Sequence, residues 1–222
     1  MHTRQYTHLD RWNHVPDDFK HGGSRGNVWF QDNWEPVIRC VDDKRLGTWG
    51  DGGKWICDPE CLLQKNSCNI FSIGSQNDFR FEDAMKPYGC TINTFDHTTL
   101  DANPPSHVTF HQIGISSKSE GQFKTLADMV TLTGIQGRVD VLKIDCEGCE
   151  YDVFMDPATL LFISQNVVQI QVEIHFKGQV ETEALAQAFT DAGFRAFSKE
   201  PNIKFSDGSC IEYSLLNSKL IL

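Results

Sequence analysis

The segment that most constrains the fold of this chain is VDVLKIDCEGCEYDVF, at residues 139–154. Its first half is an apolar strand, and this strand ends abruptly in the acidic residues Asp145, Glu147 and Glu150. In open parallel sheets, ligands bind outside the carboxyl ends of the strands. The segment therefore predicts a strand that presents carboxylates to a ligand-binding crevice. The structural alternative is an acidic helix N-terminus whose side chains complement the helix dipole.

Strands and helices alternate from residue 68 onward. Apolar or alternating stretches predict strands at residues 69–74, 90–96, 107–115, 139–145, 167–176, 194–198 and 210–216. Amphipathic stretches predict helices at residues 79–86, 123–132 and 181–192, with shorter helical pieces at 151–155 and 157–163. Such alternation is typical of an α/β domain with a largely parallel sheet whose two faces are covered.

Residues 1–66 differ from the remainder of the chain and contain all five tryptophans. Because helical and strand periodicity is weak there, we predict an irregular, tryptophan-rich N-terminal cap that belongs to the same globular unit. Residues 67–222 then form the Rossmann-like domain. Trp49 and Trp55 have two interpretations. Packing in the core or in a lid is favoured, because buried aromatic residues dominate packing energies, and the alternative is stacking on a sugar in a substrate groove.

The charge balance argues against nucleic acid as a partner. The formal net charge is −10, and the lysines and arginines are scattered without a run of three, whereas nucleic-acid binders need a basic surface. Neutral, hydroxylated substrates fit better. No apolar run approaches the roughly 18 residues of a membrane span. The polar N-terminus lacks a secretory core, which is compatible with a cytoplasmic protein or a soluble domain of a longer one. Compartment and oligomeric state stay open.

The eight cysteines allow more than one chemistry. Cys146-x-x-Cys149 has metal-ligand or redox spacing, and Cys57-x-x-x-Cys61 resembles the start of a zinc site. Neither pair has a second pair at a matching spacing, and for Cys146 and Cys149 small side chains packed behind a strand end are the favoured explanation. Disulfides among the N-terminal cysteines are the alternative for a protein of an oxidising compartment.

The turn after the first predicted strand, Ile73-Gly74-Ser75, is where we expect a nucleotide-like cofactor. Glycine lets the backbone approach a ligand, and the N-terminus of the following helix attracts anionic groups. Asp96 ends the second strand about 20 residues after Gly74, which is the spacing of an acid that binds ribose hydroxyls. The alternatives are a plain strand-to-helix turn and a turn-capping aspartate. A ribose acid also fits a nicotinamide cofactor.

The candidate catalytic groups lie at the ends of two strands. Asp145 and Glu147 follow one strand, and Glu173 and His175 end the next. Because a histidine titrates near neutral pH, His175 is the leading candidate for a general base, with Glu147 or Glu173 orienting it or acting as the base. Together the four side chains form an oxygen-rich set with one imidazole, which also suits Mg²⁺ or Mn²⁺.

Seven stretches carry a family resemblance: GDGGKWICDP, CNIFSIG, FED, GCTINTFD, VDVLKIDCEGCE, VEIHF and GSCIEYS. They are similar to FkbM-type and Methyltransf_22-type methyltransferases, which use S-adenosylmethionine, and the likeness extends from about residue 40 to the C-terminus. The resemblance implies a Rossmann-like class I methyltransferase fold. This fold has a mostly parallel seven-stranded sheet with helices on both faces and an antiparallel last strand.

The resemblance also implies an activity and site residues. Known members of the group methylate hydroxyls of small molecules, so an O-methyltransferase is implied, with a sugar or glycan hydroxyl as the leading acceptor. The motif VEIHF supports His175 as a catalytic residue. By the same resemblance, the cofactor contacts are Ile73, Gly74, Ser75, Asp96, Gly114, Ile115, Ser116 and Asp145, with Gly114, Ile115 and Ser116 beside the adenine.

Two features of the resemblance keep alternatives open. Catechol-type methyltransferases hold a metal ion at the ends of the fourth and fifth strands, which makes Asp145, Glu173 and His175 the metal candidates. The glycine turn departs from the family pattern, because Ser72 stands where an acid is common and Asp78 where a second glycine is expected. A non-catalytic binding module with the same fold and a nicotinamide-dependent oxidoreductase are therefore the alternative functions.

Overall fold

The computed structural model describes residues 29–30, 32–48, 52–63, 67–202 and 209–221. The strands are β1 Lys44–Leu46, β2 Lys54–Ile56, β3 Asn69–Ile73, β4 Thr91–Phe95, β5 Val108–His111, β6 Gly114–Ile115, β7 Phe123–Lys124, β8 Val139–Ile144, β9 Val167–His175, β10 Phe194–Pro201 and β11 Cys210–Asn217. The α-helices are α1 Pro59–Leu62, α2 Arg80–Met85, α3 Leu126–Thr133, α4 Glu150–Phe154, α5 Pro157–Asn166, α6 Gln179–Ala192 and α7 Ser218–Ile221.

A seven-stranded sheet forms the centre of the fold. Its spatial order is β10-β11-β9-β8-β3-β4-β5. The pairs of β3 with β4 and β8, of β4 with β5 and of β8 with β9 are parallel, whereas β11 is antiparallel to both of its neighbours. The predicted α/β class and the antiparallel last strand are confirmed. Since β3 and β8 are adjacent, with β9 next, their carboxyl ends meet at one edge of the sheet.

Apolar side chains cover both faces of the sheet. On one face, Phe71, Leu142 and Ile170 join a large core cluster with residues of α3, α4, α5 and α6. On the other face, Ile70 and Val141 belong to a second cluster with residues of α2 and β2. The alternation of neighbouring residues between the two faces follows from the two-residue period of a strand. Within the described residues, no helix has the length and apolar character needed to cross a membrane.

The third predicted strand, at residues 107–115, is divided in the structure. β5 ends at His111, a tight turn follows in which Ile113 N donates to His111 O, and β6 then pairs with β7 in a separate two-stranded sheet. The helix predicted at residues 123–132 accordingly begins later, at Leu126. Thr125 fixes this start, because its side chain accepts a hydrogen bond from Asp128 N as a helix N-cap.

The described part of the N-terminal region packs against the sheet. β1 and β2 form an antiparallel hairpin, and β2 contacts β9 and β11. Gln169 of β9 exchanges two hydrogen bonds with the backbone of Cys57, of 2.9 and 3.0 Å. The Trp34 ring stacks on Tyr213 with centroids 4.1 Å apart, and Trp55 Nε1 donates to Glu200. Trp55 is partly buried and packs against a small apolar cluster that includes Cys57 and Phe197, whereas Trp49 lies outside the described residues. The domain boundary near residue 66 stays a prediction.

Candidate active site

A cavity of about 570 Å³ opens at the carboxyl ends of β3, β8 and β9. Six of the residues singled out in the sequence line it: Gly74, Ser75, Asp145, Glu147, Glu173 and His175. Ile73 ends β3 beneath the turn and is buried. The cavity therefore joins the predicted glycine turn and the predicted catalytic side chains in one space. Their roles in binding and catalysis stay predictions.

Gly74 is the residue that lets β3 and β8 end side by side. Its φ is +77°, and a Cβ at this position would lie 1.7 Å from Asp145 O. Gly74 N donates to Phe95 O over 2.9 Å, and Asp145 N donates to Ile73 O over 3.0 Å. A side chain is thus excluded by both the backbone conformation and the neighbouring strand. The turn leaves Ser75 and Gln76 on the cavity wall.

Asp96 stabilises this turn through hydrogen bonds and does not line the cavity. Its Oδ2 accepts hydrogen bonds from Ser75 N at 3.0 Å and Gln76 N at 2.7 Å, and its Oδ1 accepts from Thr98 N at 2.8 Å. Burial opposes ionisation, but hydrogen bonds from Thr98, Gln76 and Ser75 outweigh it and lower the pKa of Asp96 to about 2. These contacts are those of a turn-capping aspartate, which is the alternative interpretation of Asp96 given above. A contact between Asp96 and a ribose stays a prediction.

The residues expected beside the adenine lie in the small β6–β7 sheet. Ile115 is buried in the core, Ser116 Oγ donates to Asp152 over 3.2 Å, and Gly114 lies against the Phe123 ring. None of Gly114, Ile115 and Ser116 lines the cavity in the described part of the chain. The physical reason is the turn after His111, which carries the chain out of the central sheet. Their contact with a cofactor stays a prediction.

His175 is held by a carboxylate that sequence reasoning did not select for this role. His175 Nδ1 lies 3.0 Å from Glu150 Oε1, and the Glu150 side chain is 0% exposed. Nε2 of the same ring lies 3.3 Å from Glu147 Oε2 and 3.9 Å from Glu173 Oε2. Tyr151 Oη also donates to His175 O over 2.7 Å, which fixes the backbone. Glu150 therefore orients the ring, and Glu147 and Glu173 flank its other nitrogen.

The three carboxylates also set the charge of His175. The hydrogen bond to Glu150 raises the pKa of His175 to about 9 against the opposing effect of burial, and the charges of Glu150, Glu173 and Glu147 add to it. The expectation of titration near neutral pH is therefore wrong for the cofactor-free protein, in which this imidazole is protonated at pH 7. The sequence contained Glu150 in the motif CEGCE, but its burial could not be read from the motif.

A buried lysine from the N-terminal region reaches the acidic residues of the cavity. Lys54 Nζ contacts the Glu212 carboxylate and lies 3.9 Å from Asp145 Oδ2. Burial raises the pKa of Asp145, but Lys54 and Lys143 outweigh it and lower this pKa overall. For Glu173, burial and the charge of Asp145 both raise the pKa. The pKa values of the two carboxyl groups thus shift in opposite directions, so Asp145 is ionised and Glu173 is the more basic carboxylate.

Six of the eight cysteines form three disulfides. Cys40 is bonded to Cys57, Cys68 to Cys90, and Cys146 to Cys149. The zinc-site interpretation of Cys57 and Cys61 and the metal-ligand interpretation of Cys146 and Cys149 are wrong, because a disulfide sulfur is not a thiolate ligand. The favoured explanation of Cys146 and Cys149 as two packed small side chains is also wrong, because the two are bonded to each other. The Cys146–Cys149 bond closes the turn after β8, in which Glu147 has a φ of +55° and Gly148 one of +106°. Cys61 and Cys210 are outside these disulfides; Cys61 is exposed, and Cys210 is buried and donates a hydrogen bond to Glu173.

The carboxylates could ligate a metal ion, but cations of the protein already lie against them. Single oxygens of Asp145, Glu147 and Glu173 lie within 4.8 Å of one another, as do ligand atoms of Glu173, His175 and Cys210. However, Lys54 and the protonated His175 already place two positive charges against these groups. A divalent ion would have to compete with both cations, so this arrangement does not fit the predicted Mg²⁺ or Mn²⁺ well.

Several solved structures are similar to this chain in their overall fold. They include a fibrillarin pre-rRNA processing protein from Methanococcus jannaschii (8% identity, 81% of this chain and 84% of that chain, TM-score 0.48). TrmK from M. capricolum, in complex with S-adenosyl-homocysteine, has 10% identity over 72% and 67%, with a TM-score of 0.44. The N-methyltransferase NodS from Bradyrhizobium japonicum WM9 has 12% identity over 72% and 93%, with a TM-score of 0.44. At these low scores, their activities do not transfer to this chain.

Sequence comparisons give a more direct result. No curated protein sequence matches the chain significantly. The model of one family, described as a methyltransferase domain, does match, and the match extends over residues 1–217. It includes the N-terminal region with Lys54, the glycine turn and the carboxylate–imidazole group. The chain therefore belongs to the Methyltransf_22 family of methyltransferase domains.

Proposed function

We propose that the chain is an S-adenosylmethionine-dependent O-methyltransferase that acts on a hydroxyl of a small molecule, with a sugar or glycan hydroxyl as the leading acceptor. The observation that carries the proposal is the position of the Glu150–His175 pair. His175 of this pair lines the same cavity as the Gly74 turn, where a family of methyltransferase domains is expected to bind its donor. A base and a cofactor turn on one cavity are the two elements that hydroxyl methylation needs.

The cavity has the charge that suits the donor. S-adenosylmethionine, when bound, supplies a methyl group activated by a positively charged sulfur. Asp145 is ionised and Glu147 is largely exposed to the cavity, so the space contains negative charge that attracts a cation. The same charge disfavours phosphorylated or otherwise anionic acceptors. A neutral hydroxyl compound is therefore the acceptor class that this cavity supports.

The role of His175 depends on its protonation. Glu150 holds Nδ1–H, which leaves Nε2 as the nitrogen that takes a proton from an acceptor hydroxyl. In the free protein Nε2 is already protonated at neutral pH. A cationic donor held in the cavity would lower the pKa of His175, because like charges disfavour each other. His175 would then be a better base for the acceptor hydroxyl, and Glu173 is the alternative proton acceptor.

The test has two steps, binding and transfer. Calorimetric titration with S-adenosylhomocysteine, with and without Mg²⁺, measures cofactor binding. Transfer of labelled methyl to a panel of sugars, glycans and small phenols then measures activity. We expect His175→Ala to lower the rate by about 10²–10⁴-fold with little change in cofactor affinity. His107→Ala is the matched control, because His107 lies beside Asp83, at 3.5 Å, and not on the cavity.

Each alternative predicts a different result. Cofactor binding without transfer to any acceptor would favour the non-catalytic module. Preferential binding of NAD(H) would favour an oxidoreductase. Methyl transfer to a nitrogen and not to oxygen acceptors would retain the methyltransferase and overturn the O-methylation proposal.

A further inference from the structure

Three lysines are buried in the described part of the chain: Lys54, Lys143 and Lys199. Two of them have carboxylate partners. Lys54 contacts Glu212, and Lys199 contacts Glu35. A buried ammonium group without a counter-ion is costly, which is why buried charges are normally paired. The third lysine, Lys143, forms no ion pair with any described residue.

Lys143 is placed where a ligand can reach it. It belongs to β8, is 4% exposed and lines the cavity. Its Nζ donates to Gly74 O over 2.9 Å, which is its hydrogen bond within the described chain. An ammonium group has three N–H donors, so two donors remain at the glycine turn. The ammonium is thus fixed against the backbone of the turn, with unused donors beside the cavity.

The acidic side chains near Lys143 have other cations as their partners. Asp78 accepts hydrogen bonds from Arg80 Nε at 2.8 and 2.9 Å. Asp145 lies 3.9 Å from Lys54 Nζ. Both carboxylates interact electrostatically with Lys143, but neither forms an ion pair with it. Lys143 is therefore a cation with two donors that no described carboxylate engages.

We propose that Lys143 binds the α-carboxylate of the cofactor's amino-acid part. This assignment rests on the proposed function, since it places S-adenosylmethionine in the cavity. It identifies the counter-ion that the buried ammonium lacks. A charge-assisted hydrogen bond at a buried site is also among the stronger polar contacts available to a ligand.

The assignment is tested with a pair of ligands that differ in the carboxylate. S-adenosylhomocysteine has the carboxylate, and its decarboxylated analogue, S-adenosyl-3-thiopropylamine, lacks it. Binding of both ligands is measured by calorimetry for the wild-type protein and for Lys143→Met. Lys118→Met is the matched control, because Lys118 is exposed and does not line the cavity. Thermal unfolding of each variant shows whether it is folded.

We expect the wild-type protein to prefer S-adenosylhomocysteine by about tenfold or more, in line with a charge-assisted contact. Lys143→Met should remove this preference by weakening S-adenosylhomocysteine, and should change binding of the analogue by less than about twofold. Lys118→Met should bind both ligands as the wild-type protein does. If Lys143→Met does not fold, Lys143→Gln and the wild-type comparison of the two ligands provide the same test.

Two outcomes would overturn the assignment. Equal weakening of both ligands would mean that Lys143 supports the Gly74 turn without touching the carboxylate. Unchanged binding of both would mean that the carboxylate lies elsewhere. The failure of the proposed function gives a different result, in which the wild-type protein binds neither ligand.

Discussion

Nδ1 of His175 lies 3.0 Å from Oε1 of Glu150, and these two residues connect the end of β9 to the first turn of α4. Glu150 has no exposure to solvent, so its charge acts on the imidazole at low effective dielectric. The pair fixes which nitrogen of the ring faces the cavity. It also fixes the charge state of the ring in the free protein, which makes the pair accessible to stability measurements.

The raised pKa of His175 should make stability depend on pH. A group whose pKa rises from 6.5 to about 9 on folding stabilises the fold fully below 6.5, and this contribution is lost as the pH rises through about 9. Glu150→Gln should remove most of this pH dependence. Urea unfolding at pH values across that window measures it.

Glu147→Gln is the matched control for this experiment. Glu147 lies 3.3 Å from the other ring nitrogen, but its side chain is 65% exposed. Solvent screens an exposed carboxylate, so we expect this variant to keep most of the pH dependence. Equal effects of the two substitutions would contradict the dominant role assigned to Glu150.

The buried Lys54–Glu212 pair should be costly to break from one side. Lys54→Met leaves Glu212 and Asp145 without their cation, and we expect a loss of about 3–5 kcal/mol in the free energy of unfolding. Lys54→Met combined with Glu212→Gln should recover part of this loss, because the second change removes one of the two carboxylates that lose their cation. Urea unfolding measures all three proteins.

An exposed pair provides the comparison for Lys54. Lys44 contacts Glu60, with 39% and 51% of their side chains exposed. We expect Lys44→Met to cost less than about 1 kcal/mol, because surface ion pairs contribute little. A double variant no more stable than Lys54→Met alone would show that the loss comes from packing and not from charge.

Asp96 should stabilise the glycine turn only while it is ionised. Its pKa falls from 3.8 to about 2 on folding, so its contribution is present above 3.8 and is lost as the pH falls through about 2. Asp96→Asn should lower the free energy of unfolding at neutral pH by about 1–3 kcal/mol, since an amide replaces an acceptor of several N–H donors. The difference from the wild-type protein should shrink below pH 3.8.

Asp101→Asn is the control for Asp96, because Asp101 is exposed in the loop that follows. It should unfold like the wild-type protein at every pH. A stability difference between Asp96→Asn and the wild-type protein that persists unchanged to pH 2 would contradict the assignment of this charge.

The features that the sequence predicted correctly depend on short stretches of chain. The strand at residues 139–144 and the acid directly after it are read from neighbouring residues, since burial and strand length leave a local pattern. The same is true of the turn at Gly74. Because parallel strands bring their carboxyl ends together, the meeting of Asp145 and His175 at one cavity followed from the predicted topology.

The features that the sequence missed depend on contacts between distant segments. Lys54 reaches the site only because β2 packs on β9 and β11. The role of Glu150 required its complete burial, which the acidic motif does not reveal. The cysteine pairing was open for the same reason, because spacing alone does not determine disulfide connectivity. The end of β5 at His111 depended on a tight turn without a glycine or proline to mark it.

Gly74 should tolerate no side chain, both because its φ is positive and because the Asp145 backbone lies where a Cβ would be. A second glycine allows these two causes to be measured separately. Gly74 and Gly134 have φ values of +77° and +66°, but a Cβ on Gly74 would lie 1.7 Å from Asp145 O, whereas one on Gly134 would meet nothing within 4 Å. Gly134→Ala should therefore cost only the backbone strain, about 1–2 kcal/mol. Gly74→Ala should cost clearly more and should abolish binding of S-adenosylhomocysteine, because β3 and β8 must separate at the turn where the cofactor is proposed to bind. Urea unfolding and calorimetry of both variants measure this, and similar losses for the two would contradict the steric role of the Asp145 backbone.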